Sequence, residues 1–280
     1  MKFTKTIIAA LMVGSVIFSP SNHTYAAVRT ESPVLLQVNE YNILYTFPKQ
    51  PYIDQNNRLM IPLRAISELL NGTVSYDAAK KEAAVILNGK TLTVTADSKI
   101  INLDSTIHTM DTVPVIYKQS LFIPLRVLMD NLGLKAQRDE RTGVVHIDNE
   151  LLDQTKMIKF IKEFDRAPSI ANRNAILPLH YDLQIANIGE EDKLLNGQIK
   201  ITAKNISNTL ITKDKEDLHV IFIFNESLQM EADSNTTDLN NERERPILQP
   251  NQTFERTLNF TSGNYNENLK YILAIGRVFE

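Results

Sequence analysis

The sequence predicts an α+β module of antiparallel strands and short helices, followed by an all-β sandwich. Three observations support this prediction. A strand–helix–strand pattern occurs twice, beginning at Leu59 and again at Leu121, 62 residues later. From residue 177 onward, short alternating apolar and polar stretches are separated by turn residues, as in sheet proteins. The length of 280 residues suits two domains.

The two similar segments read LMIPLRAISELLNG at residues 59–72 and LFIPLRVLMDNLG at residues 121–133. They share Ile-Pro-Leu-Arg and a later leucine, and Asp77 and Asp139 follow at the same offset. Similarity at a fixed offset is typical of a repeated structural unit. We therefore expect the first module, residues 33–148, to be internally duplicated.

Each segment predicts a strand that leads into a helix of two to three turns. Pro62 and Pro124 suit the first helical turn, where a missing N–H costs nothing. Apolar residues recur at i, i+3 and i+7 and form one stripe on each helix: Leu63, Ile66 and Leu70, then Leu125, Leu128 and Leu132. Asn71-Gly72 and Gly133 suit the left-handed conformation that ends a helix.

Short strands are expected after each helix. They cover residues 73–76 and 83–87 in the first segment, and residues 135–138 and 144–147 in the second. Asn88-Gly89 predicts a tight turn between two strands of the first segment.

Arg64 and Arg126 occupy the same place in the two segments, and two interpretations are open. In the first, they form a paired contact for an anion or a glycan at the helix start. In the second, which we favour, each arginine ties its helix to a neighbouring strand. An arginine in the first helical turn opposes the helix dipole, so a carboxylate partner is expected. Asp77 and Asp139 recur in step and are the candidates for that partner.

The doubled pattern of strand, Ile-Pro-Leu-Arg, short helix, strand, Asp and Val-x-Ile strand lies between Leu35 and Asp148. It resembles the stalk domain found at the N-terminus of some copper amine oxidases, a module widespread in secreted proteins of Gram-positive, Bacillus-like bacteria. The resemblance implies a small antiparallel sheet wrapped on helix, without catalysis. The tryptophan that the family often has before the Asp is Tyr76 in one segment and Arg138 in the other.

Copper chemistry is not expected to accompany this module. The oxidase family requires a tyrosine in a T-x-x-N-Y-[D/E] setting and three histidine ligands, and residues 261–266 (TSGNYN) end in Asn instead of an acid. A turn-rich loop at residues 262–268 is the simpler interpretation. The histidines after residue 26 are too widely spaced to form a His-x-His or His-x-x-x-His pair: His108, His146, His180 and His219. We predict a non-enzymatic chain without catalytic residues, metal or cofactor.

The composition excludes several further classes. The chain has no cysteine, which removes disulfide scaffolds, thiol nucleophiles and thiolate metal sites. The formal net charge of −3 argues against a general nucleic-acid binder. A polar loop at residues 233–244 contains several acids, and a weak Ca²⁺ site there is an open alternative.

Residues 149–176 are predicted to be a connector helix and linker. Residues 150–166 (ELLDQTKMIKFIKEFDR) show helical periodicity, with an apolar side that includes Ile158, Ile161 and Phe164, and Pro168 would end the helix. The helix either packs as a connector, which we favour, or binds a partner or a second copy.

Residues 177–280 contain at least five predicted strands without disulfides, which favours an immunoglobulin-like sandwich. The strands are expected at residues 180–188, 197–204, 218–224, 253–260 and 269–278. Residues 204–207 (KNIS) and 248–253 (LQPNQT) weakly resemble telokin-like extracellular domains of bacterial lipoproteins.

The first 26 residues have the layout of a secretory signal peptide: two early lysines, an apolar run at residues 7–18, and small residues before a cleavage point near Ala26. We expect a secreted or envelope-associated protein with no membrane span after cleavage. The leading hypothesis is a non-enzymatic envelope protein in which the stalk module is a spacer or an adhesion surface for wall polymer or protein. The alternatives are an inhibitor or regulator of an extracellular enzyme, or an enzyme with an unrecognised site.

Overall fold

The computed structural model describes residues 32–280, apart from 166, 168, 188–190 and 231–244. The predicted signal peptide, Pro168 and the predicted Ca²⁺ loop lie outside the described residues. The described residues up to 109 form short strands and one helix. These elements are β1 (Ser32–Pro33), β2 (Leu36–Val38), β3 (Tyr41–Thr46), β4 (Tyr52–Ile53), β5 (Leu59–Pro62), α1 (Leu63–Leu69), β6 (Thr73–Asp77), β7 (Glu82–Leu87), β8 (Lys90–Thr95), β9 (Ile100–Leu103) and β10 (Thr106–Thr109).

The remaining elements comprise two more helices and the longer strands. They are β11 (Val115–Tyr117), β12 (Ser120–Pro124), α2 (Leu125–Leu132), β13 (Lys135–Arg138), β14 (Val145–Asp148), α3 (Lys156–Phe164), β15 (Ile170–Asn172), β16 (Ile176–Ala186), β17 (Leu194–Asn205), β18 (Glu216–Phe224), β19 (Leu228–Met230), β20 (Thr253–Tyr265) and β21 (Leu269–Phe279). The described part of the chain is thus mostly β, as predicted. Its paired strands are antiparallel except for β14 and β2, which are parallel neighbours.

Both short helices form where the apolar stripe predicts them. All six leucine and isoleucine positions of the two stripes are buried, so packing holds helices that are too short to be stable alone. Asn71 and Gly133 have φ values of 69° and 70°, which confirms the predicted left-handed ends. Pro62 and Pro124 lie one residue earlier than predicted, because each is the extended residue that closes a strand before its helix begins.

The two Ile-Pro-Leu-Arg segments pair with each other. Strands β5 and β12 are antiparallel neighbours, with Ile61 opposite Ile123 and Pro62 opposite Phe122. Equivalent residues therefore lie at symmetric positions around the Ile61–Ile123 pair. Since the strands run in opposite directions, α1 and α2 leave them at opposite ends.

The hairpins that follow the two helices join different sheets. Strands β6 and β7 belong to a five-stranded sheet with the order β10-β9-β8-β7-β6, in which Asn88-Gly89 forms the predicted turn between β7 and β8. Strands β5 and β12 are in a four-stranded sheet with the order β11-β12-β5-β4. Strands β13 and β14 form one end of an eight-stranded sheet.

This eight-stranded sheet crosses the boundary predicted between the two domains. Its order is β13-β14-β2-β3-β21-β18-β19, and β15 also pairs with β21. Strand β3 of the first module pairs directly with β21 of the second. Tyr271 on β21 also donates a hydrogen bond from its hydroxyl to the carbonyl oxygen of Ala65 in α1, at 2.9 Å. The described residues from 32 onward consequently form one compact unit.

The continuous apolar run of β18 has a simple cause. All nine of its residues are buried, because both faces of the strand are covered. Leu218, Val220 and Phe222 pack into the core of the sandwich, whereas Ile221 and Ile223 pack into the core of the first module. The sheet is therefore the middle layer of the fold.

The second sheet of the sandwich has the order β1-β16-β17-β20 and is antiparallel throughout. Its inner residues, such as Ile199 and Ile201, share a core with β18 and β21. Phe222 and Phe260 stack across this core, with ring centroids 4.6 Å apart. The predicted sandwich architecture is thus present in the described residues.

The connector helix is shorter than predicted. Residues 152–154 form a single 3₁₀ turn, and α3 begins only at Lys156. Thr155 separates the two because its backbone is extended and its hydroxyl accepts a hydrogen bond from the amide of Ile158, a helix N-cap. Ile158 and Ile161 are buried as expected, but Phe164 is exposed. No helix within the described ranges has the length and apolar character needed to cross a membrane.

The KNIS segment has a structural role. Asn205 is fully buried, and its Nδ2 lies 3.0–3.1 Å from the carbonyl oxygens of Thr209, Leu248 and Gln249. Its Oδ1 accepts from the hydroxyl of Ser207 at 2.7 Å. This side chain fastens together the two loops that carry the weak telokin-like pattern.

Candidate functional site

Asp77 and Asp139 have the same role in the two hairpins. Oδ1 of Asp77 accepts hydrogen bonds from the amides of Ala79 and Lys80, at 3.0 and 3.2 Å. Oδ1 of Asp139 accepts from the amides of Arg141 and Thr142, at 2.8 and 3.3 Å. In each case the hydrogen bonds from the turn amides lower the pKa of the carboxyl group. Both aspartates therefore stabilise turns.

The structure does not pair these aspartates with Arg64 and Arg126. Both arginines are exposed, and neither forms an ion pair or hydrogen bond with another residue that the structure describes. The expected ion pairs do not form, because the carboxylate of each aspartate accepts hydrogen bonds within its own hairpin. Each arginine in the first helical turn faces solvent. Structural anchoring by these arginines, the interpretation we favoured, has no contact to support it.

Arg126 lines an open cleft of about 680 Å³ in the first module. Apolar side chains form much of the lining, including Leu59, Ile101 and Met129. Charged side chains are also present, namely Arg58, Asp111, Arg126, Asp130 and Arg138. We call this the arginine cleft.

Of the three arginines that line the arginine cleft, only Arg58 forms ion pairs with described residues. Nε of Arg58 lies 2.7 Å from Oδ2 of Asp54, and Nη1 of Arg58 lies 3.5 Å from Oδ2 of Asp111. Arg126 and Arg138 have no such contact among the described residues, and no ion pair joins Arg126 to Asp130. Two guanidinium groups are thus available to a ligand that enters the cleft.

A second cleft, of about 490 Å³, lies where the first module meets the sandwich. We call it the junction pocket. Its lining contains four amide side chains, two carboxylates, a histidine, an arginine and three aliphatic residues: Gln37, Asn39, Gln137, Asn174, Asp139, Asp148, His146, Arg138, Ile176, Leu177 and Ile206.

The two segments contribute unequally to these clefts. Arg126 lines the arginine cleft, Asp139 lines the junction pocket, and Arg138 lines both. Their counterparts Arg64 and Asp77 line neither. The four predicted positions therefore do not converge on one site, and those that line a cleft belong to the second segment. Arg138 was noted in the sequence only as a departure from the family pattern.

A buried ion-pair cluster was missed by the sequence analysis. Nε of Arg277 donates to Oδ2 of Asp217 at 2.7 Å, and Nη1 of Arg277 binds the carboxylate of Asp165 at the end of α3. Nη1 of Arg245 lies 3.1 Å from Oδ1 of Asp217. These side chains are 0–4% exposed, except for Asp165 at 15%. The sequence does contain a signal for this cluster, because charged residues occur at one end of the otherwise apolar strands β18 and β21.

The cluster perturbs its titratable members strongly. Burial alone would raise the pKa of Asp217, but the charges of Arg277 and its other neighbours outweigh burial and hold it below the usual value. Burial and the charge of Arg277 lower the pKa of His219 to about 4. Burial also lowers the pKa of Arg256 to about 10. Since Arg277 and Arg245 bind the carboxylates of Asp217 and Asp165 within a nearly closed core, the arrangement suits structural anchoring of β21.

The tyrosine of the oxidase-like motif lies in a hairpin. Strand β20 continues through Tyr265, so the turn predicted at residues 262–268 is confined to its end. Tyr265 is 62% exposed. The nearby carboxylate of Glu267 accepts hydrogen bonds from the amides of Glu226 and Asn264, at 2.8 and 3.0 Å, which fixes the hairpin. Within the described ranges, no group of three or more histidines and acids is arranged to hold a metal ion.

The module with the two paired Ile-Pro-Leu-Arg segments is small and sheet-rich. Residues 37–147 match the family model of the copper amine oxidase N-terminal domain, which confirms the resemblance predicted from the sequence. Comparison with curated proteins and with solved structures finds no match to the chain.

Proposed function

We propose that the protein is a secreted, non-enzymatic component of the bacterial cell envelope. In this proposal the stalk domain and the immunoglobulin-like sandwich form one spacer, and the stalk domain carries the adhesion surface for wall polymer. The two Ile-Pro-Leu-Arg segments are copies of one ancestral unit, of which the second has become the binding copy. The predicted signal peptide at residues 1–26 supplies the route out of the cytoplasm.

The arginine cleft is the observation that carries this proposal. It combines an apolar floor with the guanidinium groups of Arg126 and Arg138, which have no ion-pair partner among the described residues. Arginine binds carboxylates and phosphates through paired hydrogen bonds, and a cleft of about 680 Å³ is within the range of ligand sites. An anionic wall polymer that also offers apolar surface is the ligand class that this lining favours.

The shared sheet supports the spacer role. Strand β3 pairs with β21, and Tyr271 bonds to α1, so backbone and side-chain contacts cross between the two parts. Direct strand pairing of this kind holds the stalk domain and the sandwich at a fixed relative position, as a flexible linker would not. The cleft is consequently held at a fixed place relative to the sandwich.

The test is retention of the purified secreted protein on isolated cell walls at low salt. The unmodified protein should be retained and should be released as salt rises, because the contact is ionic. Arg126→Ala should weaken retention, whereas Arg64→Ala, the same change at the equivalent exposed position of the other segment, should not. Absence of retention at low salt, or equal effects of the two changes, would contradict the proposal.

Regulation of an extracellular enzyme is the second candidate function. Phe160 and Phe164 on α3 are 46% and 47% exposed and lie against each other, with ring centroids 4.7 Å apart. An exposed aromatic pair on an amphipathic helix is a suitable contact for a protein partner. Capture of one enzyme from culture supernatant, lost with Phe160→Ala but kept with Arg126→Ala, would favour this function over wall binding.

A further inference from the structure

The junction pocket contains a row of polar side chains across three neighbouring strands. Gln137 on β13 lies opposite His146 on β14, and His146 lies beside Gln37 on β2. Residues on the opposite face of these strands, such as Ile147 and Val38, pack into the core of the stalk domain. The polar row is therefore on the outer face.

This outer face continues the inner face of the sandwich. Next to Gln37 in the sheet is Asn42 on β3, and beyond it is Ala274 on β21, which packs into the sandwich core. The eight-stranded sheet thus extends past the strands that cover it. Beyond Ala274, polar residues replace the apolar ones. Exposure rises from the buried Gln37 through His146 to the exposed Gln137, which leaves a shelf open to a ligand at its outer end.

Among the residues of the shelf, Gln37 gives the clearest indication of a ligand contact. It is only 5% exposed, and its Nε2 donates to Oδ1 of Asn174 at 3.2 Å. Its Oε1 has no hydrogen-bond partner among the residues that the structure describes. This oxygen is not one of the fully buried polar atoms, so it is accessible to a ligand hydroxyl or amide that donates a hydrogen bond to it.

The remaining lining restricts the ligand class. Amide side chains both donate and accept hydrogen bonds, and the carboxylate of Asp148 accepts. Hydroxyl groups also donate and accept hydrogen bonds, so they are suitable partners for these amide side chains. Ile176, Leu177 and Ile206 offer an apolar wall on the sandwich side. A sugar ring presents hydroxyl groups at its edge and C–H groups on its faces, and it matches both surfaces.

The charges of the pocket favour a neutral ligand over an anionic one. Asp139 and Asp148 oppose the single guanidinium of Arg138, in contrast to the arginine cleft. We propose that the junction pocket is a binding site for a neutral sugar unit, formed jointly by β2, the β13–β14 hairpin and residues 174–177 and 206. This proposal deepens the proposed function and rests on it, since it names a second subsite for the same wall polymer.

Titration calorimetry with soluble neutral oligosaccharides tests the site. The probes are the β-1,4-linked tetramer of N-acetylglucosamine and maltotetraose, with glycerol 3-phosphate as the anionic comparison. At least one oligosaccharide should bind saturably. Gln137→Ala and Asp148→Ala should each weaken that binding about tenfold, because each removes hydrogen bonds to the ligand. Both residues are exposed, so the variants should keep the thermal unfolding of the unmodified protein.

The matched control is Gln184→Ala, which removes an exposed amide from β16 outside both clefts and should leave the affinity unchanged. Absence of binding by both oligosaccharides would overturn the proposal, as would equal affinities of the Gln137 and Gln184 variants. Glycerol phosphate binding that is lost with Gln137→Ala would overturn the neutral class. Retention on walls without oligosaccharide binding would refute this site alone, whereas oligosaccharide binding without retention would refute the wall-binding function alone.

Discussion

Arg277 and Asp217 lie directly opposite each other on neighbouring strands β21 and β18, with Nε and Oδ2 2.7 Å apart and both side chains almost completely buried. Arg277 also binds Asp165, which follows α3. One guanidinium group therefore connects the middle sheet to the connector helix. Breaking such a buried pair by removing one partner is much more destabilising than the pair itself is stabilising.

Asp217→Asn should lower the free energy of unfolding by about 3 kcal/mol or more, because it removes the buried carboxylate that Arg277 and Arg245 share and leaves their charges only partly compensated. Urea denaturation measures the loss. The control is Asp153→Asn, the same change in an exposed ion pair whose Oδ2 lies 2.7 Å from Nζ of Lys162. That variant should lose less than about 1 kcal/mol. Similar losses in the two variants would show that the buried cluster is not an anchor.

Stability should fall as the pH is lowered from about 6.5 toward 4. His219 is buried and its pKa is lowered to about 4, while an unfolded histidine titrates near 6.5. Between these values the unfolded state binds a proton that the folded state does not, which costs up to about 1.4 kcal/mol per pH unit. Asp217, whose pKa is also lowered, adds a further loss at more acidic pH.

Urea midpoints measured between pH 7 and pH 4 check this slope. His219→Leu should flatten it, because the leucine has no proton to bind. His108→Leu, at an exposed site on β10, should leave it in place. A slope that persists after His219→Leu would assign the pH dependence to other groups.

Gly276→Ala should prevent normal folding or greatly destabilise the protein. A Cβ at residue 276 would lie 1.7 Å from the carbonyl oxygen of Ile176, and the amide of Ala175 already bonds to the carbonyl of Gly276 at 2.9 Å. The backbone cannot move apart without loss of that contact. Gly89→Asn is the control, because its turn is open and Asn tolerates a positive φ. Soluble yield and melting temperature compare the two, and a normal Gly276→Ala protein would refute the close approach.

Asp77→Ala and Asp139→Ala should both lower stability, and by similar amounts, because each removes two hydrogen bonds to turn amides. Arg64→Ala and Arg126→Ala should change the free energy of unfolding by less than about 0.5 kcal/mol, as is usual for exposed residues without partners. Thermal and urea unfolding of the four variants provide the comparison. A large loss in either arginine variant would restore the structural interpretation of these residues.

The local structure of the stalk domain was predictable because its signals are local. The apolar stripes from Leu63 and from Leu125 and the left-handed Asn71 and Gly133 each depend on residues within one turn or one helix. The connector helix shows where such reasoning fails. Helical periodicity runs on through Thr155, and only the hydrogen bond from Ile158 to its hydroxyl shows that the helix begins there.

The assembly and the clefts were not predictable, because they depend on contacts between distant residues. Nothing near β3 indicates that it pairs with β21, and the run of apolar residues in β18 indicates burial without showing what covers each face. Arg126 was recognised as a candidate, but its cleft is also formed by residues 56–59 and 108–111. The role of Arg138 follows only from the packing of its hairpin.

The pairing of β3 with β21 has a consequence for the order in which the protein folds. The hydrogen bond from Nδ2 of Asn42 to the carbonyl of Ala274 closes a loop of 232 residues. Until β21 is available, β3 has an open edge, and unpaired edges recruit strands from other chains. A ribosome-bound or truncated first half should therefore stay unfolded or aggregate, and productive folding has to wait for almost the whole sequence.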